Sequence, residues 1–123
     1  MRKYTILKEP IPTNDNDDLI KKIMIYQESA REIYVFIYTT TDEYGHCCAD
    51  YWFDDLRNAE QYAIKEYGIK PQDWILTDDP LPYCQHDIIS PVRVKGRNNG
   101  TPIWGEFEIF NGIEWVDFEF DKQ

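Results

Sequence analysis

Apolar and polar positions alternate most regularly toward the C-terminal end of the chain. Val92, Val94, Ile103, Phe107, Ile109, Val116, Phe118 and Phe120 fall out of step with Arg93, Lys95, Glu106, Glu108, Asp117 and Glu119. A period of two is the mark of strands with one face buried. Asn99-Gly100 and Asn111-Gly112 break the runs, and Asn-Gly between alternating segments predicts two-residue hairpin turns, hence a three-stranded meander. Turns at those positions set Arg93 opposite Glu106 and Lys95 opposite Trp104 in the first hairpin. In the second they set Glu106 opposite Asp117, Trp104 opposite Glu119 and Glu108 opposite Trp115. All of these residues share one side, and the eight apolar residues form a core face on the other.

Upstream, IMIYQESAREIYVFIYTTTDEYGHCCADYWF is rich in β-branched and aromatic residues and carries turn-like breaks at ESAR and TDEYG, so it predicts three antiparallel strands. Its beginning has a second reading, because Leu19, Ile20, Ile23 and Met24 also fit a helical stripe opening after Asp17. Pairing Thr41 with Cys47 collects Ile33, Val35, Ile37, Cys47, Ala49, Tyr51 and Phe53 on one face. Tyr34, Phe36, Tyr38, Cys48, Asp50 and Trp52 collect on the other. A helix is predicted from Asp55 to Tyr67, with Asp54 as N-cap, Leu56, Ala59, Ala63 and Tyr67 on one side, and Gly68 as its stop. Lys70-Pro71 forbids continuation. The expected fold is α+β: a twisted antiparallel sheet of about six or seven strands with one main helix packed on a face. The stretches EPIPTNDNDD (9–18) and TDDPLPYCQHD (77–87) read as loops that punctuate a single domain, residues 1–123.

Composition narrows the function. With 123 residues, 42% hydrophobic and 15% aromatic, the chain can build one real core and has no room for a second domain of ordinary size. A formal net charge of −10 opposes binding to nucleic-acid phosphates and to anionic membranes, and favours fast, salt-sensitive association with a basic protein. MRKYTILKEP lacks the apolar run of a secretory signal, and no stretch has the roughly 18 apolar residues of a membrane span. A cytoplasmic protein is expected. Three cysteines, two of them adjacent, do not suit a disulfide framework, so reduced thiols are expected.

Candidate chemistry concentrates in GHCCAD (45–50) and YCQHD (83–87), which hold every cysteine and histidine. Strand alternation lets His46 and Cys48 converge from one stretch and Cys84 and His86 from the other, a nominal zinc site should residues 77–87 fold back over the strand end. The usual C-x2-C spacing is missing. Thiol catalysis is disfavoured, because Asp50, Asp78, Asp79 and Asp87 would raise a thiol pKa. No G-x-S-x-G, glycine-rich phosphate loop or H-E-x-x-H occurs. Arg93 and Lys95 face carboxylates within the meander, which leaves Arg97 as the open cation of VRVKGR.

Two aromatic surfaces remain. Trp104 and Trp115, set among Glu106, Glu108, Asp117 and Glu119, suit a basic partner: tryptophan anchors interfaces and carboxylates steer. Tyr34, Phe36, Tyr38 and Trp52 form a second surface that must be sealed by a loop or by a second copy of the chain. The sequence therefore predicts a non-enzymatic, acidic binding protein without a cofactor. In size, acidity and aromatic character it resembles the small immunity and inhibitor proteins that neutralise basic toxins, on no diagnostic motif. Alternatives are the His46, Cys48, Cys84, His86 site with zinc or a reactive thiol, and a structural homodimer.

Overall fold

The centre of the fold is decided by Leu19–Ser29, where apolar residues occupy consecutive positions and so cannot all lie on one helical stripe. In a computed structural model, which describes residues 1–13 and 18–120, this segment is a strand and not a helix. Strands β1 (Arg2–Pro12), β2 (Leu19–Ser29), β3 (Glu32–Tyr38), β4 (Ala49–Phe53) and β5 (Ile75–Thr77) form a five-stranded antiparallel sheet of order β4-β3-β2-β1-β5. Flanked on both edges, β2 buries Ile23 and Ile25 on one face and Lys22, Met24 and Tyr26 on the other. Both neighbours complete its backbone hydrogen bonds, and β-branched Ile suits the pleated surface better than a helix.

Strands β6 (Val92–Val94), β7 (Phe107–Phe110) and β8 (Trp115–Phe118) form a second, three-stranded antiparallel sheet. The α+β architecture with a C-terminal meander is thus as expected, but the described residues form eight strands divided between two sheets. The extra strand, β5, pairs with β1 through Arg2–Thr77 and Tyr4–Ile75. The loop expected from residue 9 starts later, because β1 runs on to Pro12. A register shift between Ile6 and Ile11 accommodates Pro10, which cannot donate to a ladder.

The helix α1 (Leu56–Tyr67) lies across β2, β3 and β4. Ala59 and Ala63 are fully buried, so short side chains let the helix approach the Ile23, Ile25, Ile33, Val35 and Ile37 face closely. Gly68 ends it at φ 67° with its N–H on the carbonyl of Ile64, 2.9 Å away. The N-cap is Asp55 and not Asp54: Asp55 has extended backbone, and its carboxylate accepts from the Asn58 N–H at 2.7 Å.

The three hairpins whose register the sequence predicts keep their strand faces and change their partners. Ile37 pairs with Ala49, Arg93 with Glu108, and Glu108 with Asp117, each two residues from the predicted register. In the meander the turns are longer than two residues. Asn111 accepts the Ile113 and Glu114 N–H groups on its side-chain oxygen and so builds a four-residue turn. Asn99-Gly100 instead closes a 3-10 turn (Arg97–Asn99) that starts from Gly96, whose φ of 79° and 2.3 Å clearance between a notional Cβ and the Thr101 carbonyl leave no room for a side chain. Because side-chain direction repeats every two residues, an even slip leaves the face partition intact.

The second sheet is less sealed than expected. Val92 and Val94 are buried, whereas Ile103 and Val116 are exposed. Phe118 and Phe120 pack on Tyr44 and His46, ring centroids 5.4 and 4.6 Å apart, and so join the sheet to residues 44–46. Among the described residues no helix is long and apolar enough to cross a membrane.

Candidate functional site

The polar face of the meander follows from its register. Arg93 Nε donates to Glu108 Oε1 at 2.7 Å, with side chains only 11% and 13% exposed, and its guanidinium lies 3.6 Å over the Trp115 ring. Phe110 packs against the same indole at 5.3 Å. Arg93 is therefore neutralised and stacked, and Trp115 is half-covered by its own sheet. Lys95 Nζ reaches Asp117 Oδ1 at 2.8 Å in a more exposed pair; that hydrogen bond raises the lysine pKa. These partners replace the Glu106 and Trp104 expected from two-residue turns.

Trp104 is placed differently from Trp115. It sits in a turn closed by the Glu106 N–H on the Ile103 carbonyl and is 74% exposed beside exposed Ile103. Next to this turn lies an open groove of about 450 Å³ in which Glu106, Asp117 and Glu119 stand with Phe107, Phe118 and Phe120. Of the six carboxylate and tryptophan residues expected on one surface, Glu108 is engaged with Arg93, Trp115 lies under it, and the other four gather around this groove and turn.

The two Cys/His stretches do meet, through Asp87. Its carboxylate accepts the Cys47 N–H at 2.9 Å and lies 3.4 Å from His46 Nδ1, while its backbone carbonyl accepts the Tyr38 hydroxyl. His46, Cys84 and His86 border one open concavity, together with Cys47 rather than Cys48. Alternation does not reach back to residues 47 and 48, because the strand starts at Ala49. Cys47 therefore packs on the Met24, Tyr26, Phe36, Tyr38 cluster and Cys48 is exposed, the reverse of the expected facing. His86 packs in a tilted contact against Tyr26 at 4.9 Å, and His46 does the same against Phe120. Among the described residues no three His, Cys, Asp or Glu side chains are grouped to hold a metal ion. Burial, then the Asp87 charge and hydrogen bond, push the Cys47 thiol up to about 12, and burial raises that of Cys84. Neither is a ready thiolate.

The aromatic face is covered by the chain itself. Phe36 and Tyr38 are buried, Tyr34 is half-buried, and only Trp52, 58% exposed, is a surface residue. The cover is formed by residues 42–47 and 78–91, and two buried cations hold it. Arg2, 2% exposed, donates to the carbonyls of Asp78 (2.7 Å), His86 (3.1 Å), Ile88 (2.7 Å) and Ile89 (3.2 Å). Lys22, 1% exposed, donates to the Asp42 carbonyl at 3.1 Å and lies 4.2 Å over the Tyr38 ring. Burial lowers the pKa of both. Sequence reasoning missed them, although Lys22 alternates with Met24 and Tyr26 and so shares their face.

No family model, curated protein or solved structure matches this chain.

Proposed function

We propose that the chain is a non-enzymatic binding protein that engages a basic protein partner through the groove beside Trp104. One observation carries the reading: Glu106, Asp117 and Glu119 border a groove next to Trp104, which is 74% exposed. A lysine or arginine side chain suits such a site, since its alkyl stem can pack on the Trp104 indole while its cationic head meets carboxylates. Lys95 offsets the charge of Asp117, and the chain as a whole carries a net charge of −10. Trp104 supplies the apolar anchor, and tryptophan is among the residues whose truncation costs an interface about 2 kcal/mol or more. Trp115 contributes by holding Arg93 and Glu108 in place. An inhibitor or immunity role against a basic toxin is one form this function would take.

The test is capture from the cells that make the protein, at low and at high salt. A basic partner should be retained at low salt, released at high salt and lost with Trp104→Ala. Glu106→Gln with Glu119→Gln should slow association more than dissociation. Binding indifferent to salt and to these substitutions, or no retained partner, refutes the reading. The metal reading has no comparable geometric support, and of the four residues proposed for a homodimer face two are covered within the chain.

A further inference from the structure

We propose that the cavity beside Arg2 binds a small apolar molecule bearing a single carboxylate. The cavity, of about 300 Å³, lies between the 78–91 cover and the tip of the β7–β8 hairpin, at the small end of the roughly 300–1,000 Å³ range of ligand sites. Somewhat more than half of its wall is apolar, with Leu81, Ile88, Ile89, Pro91 and Phe110, and its buried polar group is the Arg2 guanidinium.

That guanidinium makes the wall selective. Arginine has five N–H groups, and four of them go to backbone carbonyls, which leaves one on Nη2 without an acceptor among the described residues. Among those residues no carboxylate forms an ion pair with Arg2. The buried charge is thus met at close range by carbonyl dipoles, with Asp79 acting on it without an ion pair, and an anion in the cavity would supply a close counter-charge in a medium of low dielectric, where it counts most.

One carboxylate fits better than a phosphate. A single spare N–H cannot answer a multiply charged anion that needs several donors, and Asp78 and Asp79 border the cavity. Both acids are solvent-exposed, where water and salt screen them, and Asp79 is already paired with the N-terminal ammonium at 2.7 Å. They exclude a phosphate more strongly than a monoanion that reaches the buried base of the site. The apolar wall then calls for an alkyl or aryl body.

Phenylacetate and hexanoate serve as probes, with phenethylamine and acetate as controls, each titrated while backbone and arginine side-chain NMR signals are followed. Phenylacetate or hexanoate should bind saturably and shift Arg2, Ile88 and Ile89. The amine should not bind, and acetate should bind more weakly for want of an apolar body. Folded Arg2→Met should lose about ten- to a hundredfold in affinity. Should Arg2→Met fail to fold, Ser90→Phe decides, since it fills the cavity from its wall and leaves the Arg2 bonds untouched. Loss of binding in that variant supports the site, and retained binding refutes it. Equal binding of acid and amine, or no saturable binding of either acid, overturns the proposal.

Discussion

Replacing Arg2 with Met tests whether the buried cation holds the 78–91 cover. The substitution keeps an unbranched apolar stem of similar reach and deletes four N–H donors whose acceptors lie 2.7 to 3.2 Å away. Hydrogen bonds from a charged donor are each worth about 1.5–3 kcal/mol, so the gross loss is large. Against it stands the desolvation of a guanidinium, several kcal/mol, which the variant no longer bears. These two contributions offset one another to a large extent. What remains is the fate of the carbonyls: Ile88 is fully buried, and its oxygen, with that of His86, must either stay unsatisfied or be rehydrated by lifting the segment. At roughly 1–3 kcal/mol for each of the two stranded groups, the expected net destabilisation is about 2–6 kcal/mol. Urea unfolding reads it as a lower midpoint at unchanged slope. Hydrogen exchange should accelerate at Gln85, whose N–H bonds the Val92 carbonyl at 2.8 Å, well beyond the change in strand β2. A loss below about 1 kcal/mol with unchanged exchange at Gln85 would refute the idea that Arg2 fastens the cover.

Lys22 should behave oppositely, since a single hydrogen bond and a ring contact repay its burial: Lys22→Met should be neutral or stabilising by up to about 1 kcal/mol at neutral pH. Its pKa is lowered from 10.5 in the fold, so the unfolded chain binds the proton more tightly. Wild-type stability relative to the variant should therefore rise as pH climbs toward 10.5, and a difference independent of pH in urea melts would contradict this. Cys47 has the other sign: raised from 9.0 to about 12, it contributes stability below pH 9 that is lost between 9 and 12. Asp87→Asn should lower that upper limit, read by pH-dependent alkylation, in which exposed Cys48 reacts first. Arg93→Met strands Glu108 in a half-buried pair and should cost about 2–3 kcal/mol in chemical denaturation, whereas Lys95→Met, facing Asp117 at the surface, should stay within about 0.5 kcal/mol.

Much of the architecture was legible in the sequence because alternation is a local signal. The faces of β3, β4 and the meander, the buried side of α1 and its Gly68 stop follow from period and from backbone chemistry that neighbours cannot change. The partners across each hairpin were not legible. Three registers slipped by two residues, which alternation cannot detect; in the meander the cause lies in turns whose geometry depends on side-chain capping by Asn111 and on the 3-10 turn after Gly96.

Tertiary structure alone decided what lies beneath the surface. A three-residue strand, Ile75–Thr77, becomes visible only when β1 offers it an edge. Arg2 and Lys22 carry charges that sequence reading assigns to water, yet the segments that cover the aromatic face bring carbonyl oxygens to them from residues far along the chain. Cys47 lies on the aromatic side instead of the core side, and Cys48 is exposed, because alternation ends where the ladder ends. Sequence alone determined which residues share a face, since that depends on the backbone period. What packs over a face depends on long-range closure, where the chain trades desolvation against hydrogen bonds that no local pattern records.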